Sequence, residues 1–151
     1  MSIQVDVQFA AQAAHFPTRH KLEGWVKAAL AGRREKADLT VRIVDAAEGA
    51  ELNQRWRHKP GPTNVLSFPA NGVEEIAPEL LGDIVICAPV VLREAEEQGK
   101  DTEAHWAHLV VHGALHLLGF DHLKEPEARA MEQLETEILI RLGYSDPYIS
   151  H

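Results

Sequence analysis

The sequence predicts an α+β fold: a single domain over residues 1–151, with a small mixed β-sheet and packed helices that include a central buried one. Three observations predict it. Segments with strand and helix periodicity are intermixed along the chain, which favours helices packed on one small sheet. A length of 151 residues suits one core that needs no staples. One segment in the second half is helical in length and apolar around most of its circumference, the mark of a buried helix.

The elements follow in order. Ile3 to Phe9 alternates Ile3, Val5, Val7 and Phe9 and reads as a strand. Thr18 caps a helix to about Ala31, with Leu22, Trp25, Val26, Ala29 and Leu30 on one face and Gly32 as its stop. Asp38 to Asp45 reads as a second strand, and a short helix runs from about Ala46 to Trp56. Arg57 to Thr63 holds Pro60, Gly61 and Pro62 and reads as a loop. Asn64 to Phe68 is a short strand ended by Pro69, residues 70–80 form an acidic loop, and Leu81 to Cys87 is a buried strand. A helix from Pro89 to about Gln98 stops at Gly99. The apolar central helix spans Thr102 to about Leu118 and ends at Gly119, and a last helix covers Pro126 to Leu142. There are no repeats or low-complexity tracts.

Composition narrows the function classes. A single cysteine, Cys87, forbids an intrachain disulfide and reads as core. No signal peptide is expected, and the apolar stretches are too short to cross a bilayer, so a cytoplasmic location without membrane partners is the expectation. The net charge of −8 argues against non-specific coating of nucleic acid. That charge is uneven. Residues 1–60 carry 10 Lys and Arg against 7 Asp and Glu, a balance of +3, whereas residues 61–151 carry 5 against 16, a balance of −11.

The chemistry concentrates in His112-Gly-Ala-Leu-His116-Leu-Leu-Gly119-Phe-Asp-His122. Residues four apart on a helix lie about 40° apart around its axis, so His112 and His116 project side by side. Gly119 lets the chain turn back, which would bring His122 to a third corner. Three neutral imidazoles leave one open position on a tetrahedral zinc, as in catalytic rather than structural sites, and the bound water's pKa then falls towards about 7. Burying several imidazoles without a partner would be costly. His105 and His108 share that side of the helix; His108 reads equally as a hydrogen-bond partner or cleft lining and as an ordinary satisfied helix histidine, and His105 reads rather as the latter. Asp121 is a candidate to orient a ligand imidazole. The spacing also occurs in metzincin peptidases, but those carry a glutamate base after the first histidine, where this chain has Gly113.

The string HGALHLLGFDH resembles the signature of the YbeY endoribonucleases, bacterial ribosomal-RNA maturation factors. Two further stretches resemble the same family in order and separation: LNQRWRHKPGPTNVLSFP from Leu52 to Pro69, and Leu81-Gly82-Asp83-Ile84. The resemblance covers essentially the whole chain. It implies an α+β domain with a metal-bearing helix and a single-strand-specific endoribonuclease that uses one zinc ion. It further implies ribosomal RNA as substrate, notably the 3′ end of the small-subunit (16S) RNA, with the ribosome or its small subunit as partner and a role in ribosome quality control. Residue by residue it implies His112, His116 and His122 as metal ligands and Arg57 as the functional arginine. The family often has a small residue or glycine after that arginine, where this chain has His58.

The residues agree with a role for Arg57, because a guanidinium fork binds phosphate oxygens and stabilises charge that develops on phosphorus. Arg55 and Lys59 read as solvated loop charges. Thr63, Asn64 and Ser67 read as turn and strand hydrogen-bonding residues, and Asp83 as a support of the cleft or a structural acceptor. Trp25, Trp56 and Trp106 read as core rather than as base-stacking platforms. Two rival readings remain: a zinc peptidase, and a non-catalytic ribosome-assembly factor with a structural zinc.

Overall fold

The computed structural model describes residues 2–12, 16–70, 72, 75–120 and 124–148. Among them lie four strands and five helices: β1 (Ser2–Ala10), α1 (Arg19–Leu30), β2 (Lys36–Val44), α2 (Ala46–Arg57), β3 (Val65–Pro69), β4 (Leu80–Cys87), α3 (Ala88–Glu97), α4 (Thr102–Leu117) and α5 (Glu125–Arg141). The expected α+β architecture is present. Local chemistry accounts for the element ends. The Thr18 hydroxyl accepts from the Lys21 amide at 3.2 Å to cap α1, and the Asp101 carboxylate accepts from the Ala104 amide at 3.0 Å to cap α4. At the other end of α4, Gly119 takes φ +101°, which frees the chain from the helix.

The sheet is mixed, with strand order β1-β2-β4-β3. β1 and β2 pair in parallel, as do β2 and β4, and β3 runs antiparallel on β4. Register assigns the faces. Val7, Val41, Ile84 and Ser67 stand across from one another on one face, and Gln8, Arg42, Val85 and Leu66 on the other. The first face carries the main core, where α1 contributes Leu22, Trp25, Val26, Ala29 and Leu30, the set its periodicity predicts. α4 packs on the same face through Trp106, Val110 and Ala114, and α5 closes over it with Met131, Ile138 and Leu139. The second face is covered at one end only, by a small cluster of Val44, Leu66, Val85, Cys87 and Val90 against Leu52 of α2 and Phe68.

Gly113 shows how closely α4 lies on the sheet. A Cβ at that position would stand 2.8 Å from Ile84 Cγ2, so only glycine fits without displacement. The residue after the first of the two histidines therefore faces β4, not the open side of the helix.

Two expectations need correction. Arg57 is the last residue of α2 rather than the first of the loop. Helix α2 continues because His58 caps it in the left-handed region, φ 58° and ψ 34°, donating its backbone N–H to the Asn53 and Gln54 carbonyls. Trp56 is not core: it is 61% exposed, whereas Trp25 and Trp106 are 4% and 1% exposed. Trp56 falls on the outer side of the last turn of α2, which buries only Gly49 and Asn53.

Candidate metal centre and cleft

Of the histidines of α4, His108 and His112 meet α5 through Glu135. His112 and His116 are half-buried, and their Nε2 atoms stand 3.1 Å apart. Two nitrogens on one tetrahedral zinc, each bonded at about 2.0–2.1 Å, are separated by about 3.3 Å. The observed spacing fits that requirement. His122 and Asp121 lie outside the described residues.

Behind His112 stands Glu135, a residue that sequence reasoning missed. Its side chain is fully buried, and its carboxylate accepts from His112 Nδ1, from His108 Nε2 at 3.0 Å and from the Tyr148 hydroxyl. Burial would raise its pKa, but the bonds from His108 and His112 overcome that and hold it at about 2. An ionised carboxylate can only accept, so His112 carries a proton on Nδ1, and Nε2 is the ring nitrogen that stands towards His116. Carboxylate, imidazole and metal commonly align in this way, with the carboxylate fixing tautomer and ring orientation. The Tyr148 hydroxyl is pushed above its ordinary value by burial and by the bond to Glu135.

His108, His112 and Glu135 themselves form a group that could hold a metal ion, each offering one ligand atom within 4.8 Å of the others. The chain thus offers two arrangements that share His112. One uses the Nε2 atoms of His112 and His116 on the open side of α4. The other uses the carboxylate pocket beneath, where the atoms already contact one another as hydrogen-bond partners.

The open side is a cleft of about 360 Å³, and it brings together residues far apart in sequence. It is lined by His112 and His116 of α4, by Trp56 and Arg57 of α2, and by the stretch from Thr63 to Phe68. The loop behind Arg57 is fixed by buried Asn53, whose Nδ2 donates to the Gly61 carbonyl at 2.8 Å. Asn64 Nδ2 donates to Glu94 at 3.1 Å, and the Ser67 hydroxyl donates to the Gly113 carbonyl at 3.2 Å, tying β3 to α4. Asn64 and Ser67 thus line the cleft and make structural bonds as well.

Other candidates lie elsewhere. Buried His105 pairs with Glu94 at 3.0 Å, and burial lowers its pKa against the pull of that carboxylate. Asp83 is exposed on the second face of the sheet, away from the histidines. Cys87 is buried, and burial raises its thiol pKa. Exposed Arg55 pairs with Glu51 one helical turn earlier. Among the described residues, no helix is long and apolar enough to cross a membrane.

Glu135 was not beyond detection. It falls on the apolar stripe of α5 with Met131, Ile138 and Leu139, and a lone carboxylate on such a stripe must have a buried partner.

Comparison with known proteins gives concordant results. The family model described as endoribonuclease YbeY matches residues 6–143. A protein named endoribonuclease YbeY from Nitrosococcus oceani is 54% identical over 152 residues, covering 99% of each chain. The solution structure of TM1509 from Thermotoga maritima superposes with a TM-score of 0.60 at 24% identity, covering 95% of this chain and 99% of the other, a likeness of fold.

Proposed function

The chain belongs to the endoribonuclease YbeY family, and from that premise we propose that it is a zinc-dependent endoribonuclease that cuts single-stranded ribosomal RNA. The substrate we assign is the small-subunit RNA near its 3′ end, met on the ribosome or its small subunit in the cytoplasm. Residues 1–151 serve this as one catalytic domain. The observation that carries the reading is the shared cleft: Arg57 lines it together with His112 and His116, although separate elements supply them.

His112, His116 and His122 would hold the zinc. When bound, the ion supplies Lewis acidity and acidifies a water towards neutrality. The protein's own groups do the rest. Glu135 would keep the His112 proton on Nδ1, so that Nε2 is the ring nitrogen that ligates. Arg57, exposed at the end of α2, grips the non-bridging oxygens of the scissile phosphate and offsets the charge that develops there. A peptidase reading finds no support at Gly113, since a side chain at that position would run into Ile84 rather than reach the cleft.

The test is cleavage of single-stranded RNA by metal-loaded protein, with unstructured casein as the parallel substrate. His112→Ala should lose zinc and cleavage together. Arg57→Ala should keep zinc and lose cleavage. Full RNase activity in a metal-free variant, or casein cleavage without RNA cleavage, refutes the proposal.

A further inference from the structure

Trp56 has a position that core packing does not explain. At 61% exposed it forgoes most of the burial that makes tryptophan favourable inside a protein. Its ring packs edge-on against Phe68, with centroids 6.0 Å apart and planes at 66°, so the indole is held in orientation while most of it meets solvent. It also stands on a boundary. On one side is the cleft with Arg57, His112 and His116; on the other is an open trough of about 760 Å³ on the second face of the sheet. Trp56, Ser67 and Phe68 line both.

We propose that Trp56 is a stacking platform for a nucleobase next to the cleaved bond, a specificity element for single-stranded RNA that rests on the endoribonuclease reading. Stacking on an indole selects an unpaired base, because inside a duplex both faces of a base are covered by its stacked neighbours. The neighbouring chemistry sets the direction. Arg57, adjacent in sequence, takes the phosphate. The trough does not, because its guanidinium, Arg42, is already held by Glu48 through bonds of 2.6 and 2.9 Å, and Asp83 adds a second carboxylate. Thr40, which also lines it, can serve the edge of a base, whereas Gln8 is engaged by Arg42 and Asp6. The nucleotide therefore lies across Trp56, with its phosphate on the Arg57 side and its base edge towards the trough.

The experiment measures binding of a short single-stranded oligoadenylate to the full-length, zinc-loaded chain, together with cleavage of an RNA in which one abasic nucleotide is moved stepwise past the cut bond. Because Trp25 and Trp106 are buried, quenching of the accessible tryptophan fluorescence by RNA reports Trp56. Trp56→Ala should weaken binding by about 5- to 150-fold with zinc content unchanged, and Trp56→Phe should restore most of it. In the wild type one abasic position should cost a similar factor, and in Trp56→Ala that penalty should vanish. The proposal falls, with the endoribonuclease reading intact, if Arg57→Ala weakens RNA binding while Trp56→Ala does not. It falls equally if abasic and Trp56→Ala losses multiply, or if Trp56→Ala alters only self-association or capture of a protein. Should wild-type protein bind no single-stranded RNA, the endoribonuclease reading falls as well.

Discussion

Replacing Glu135 by glutamine, set beside His116→Ala, decides which of the two metal arrangements operates. The glutamine side chain has nearly the same shape, but its amide cannot accept from His112, His108 and Tyr148 together, and its NH2 group turns a donor towards donors. If Glu135 orients His112 from behind, zinc affinity should fall by about 10- to 100-fold, which is about 1.4–2.7 kcal/mol. The fold should survive with its unfolding free energy lowered by about 1–3 kcal/mol, the cost of a buried donor left without an acceptor. His116→Ala removes a nitrogen 3.1 Å from His112 Nε2 and should abolish tight binding. If instead His108, His112 and Glu135 hold the ion, the order reverses: Glu135→Gln is far worse than 100-fold and His116→Ala is nearly silent. The assay is competition against a chromophoric chelator at fixed pH, with elemental analysis for metal per chain and a thermal melt for the fold. Wild-type affinity in His116→Ala, or no change in Glu135→Gln, would refute the assignment of ligands and of the carboxylate's role.

Gly113→Ala gains about 1 kcal/mol of helix propensity but meets Ile84 Cγ2 at 2.8 Å, and overpacking costs about 1–3 kcal/mol, so chemical denaturation should show a net loss. Gly113→Glu, which restores the peptidase-like residue, should destabilise more and release no peptide from casein; measurable peptidase activity would contradict the orientation of α4. His58→Gly should raise stability by about 0.5–1 kcal/mol, since the residue sits at φ 58°, and a lowered denaturation midpoint would show that the imidazole has a structural task. Burial lowers the His105 pKa below its unfolded value, so the unfolded chain takes up that proton first. Stability from this residue is complete above about pH 6.5 and is lost as the pH falls through 6.5 towards the folded pKa. His105→Gln should therefore flatten the acid limb of a pH–stability curve, and an unchanged slope would remove the assignment.

The lasting division is between what repeats along the chain and what meets across it. Periodicity, with capping and turn residues, located the described strands and helices to within a few residues, because the alternation of Ile3, Val5 and Val7, or the spacing of Leu22, Trp25, Val26 and Ala29, is a local record of which side faces apolar surroundings. The pairing of His112 with His116 was legible for the same reason: four residues along a helix set two side chains side by side before any tertiary contact exists. The exposure of Trp56 and the helical place of Arg57 were not legible. The first depends on how little of α2 the sheet covers, the second on His58 adopting a backbone conformation that composition disfavours. Nor could spacing reveal that Arg57 shares a cleft with His112 and His116, since that meeting is set by β3 packing against α4 and by Asn53 holding the loop. Glu135 lies between these cases. Its stripe on α5 could be read, but its partners could not, because α5 also carries Glu125, Glu127, Glu132 and Glu137, and only the seating of α5 against α4 selects which carboxylate leaves water for two imidazoles. Local order is written in side-chain periodicity, whereas a site made of several elements exists only once the core has packed and fixed their separations.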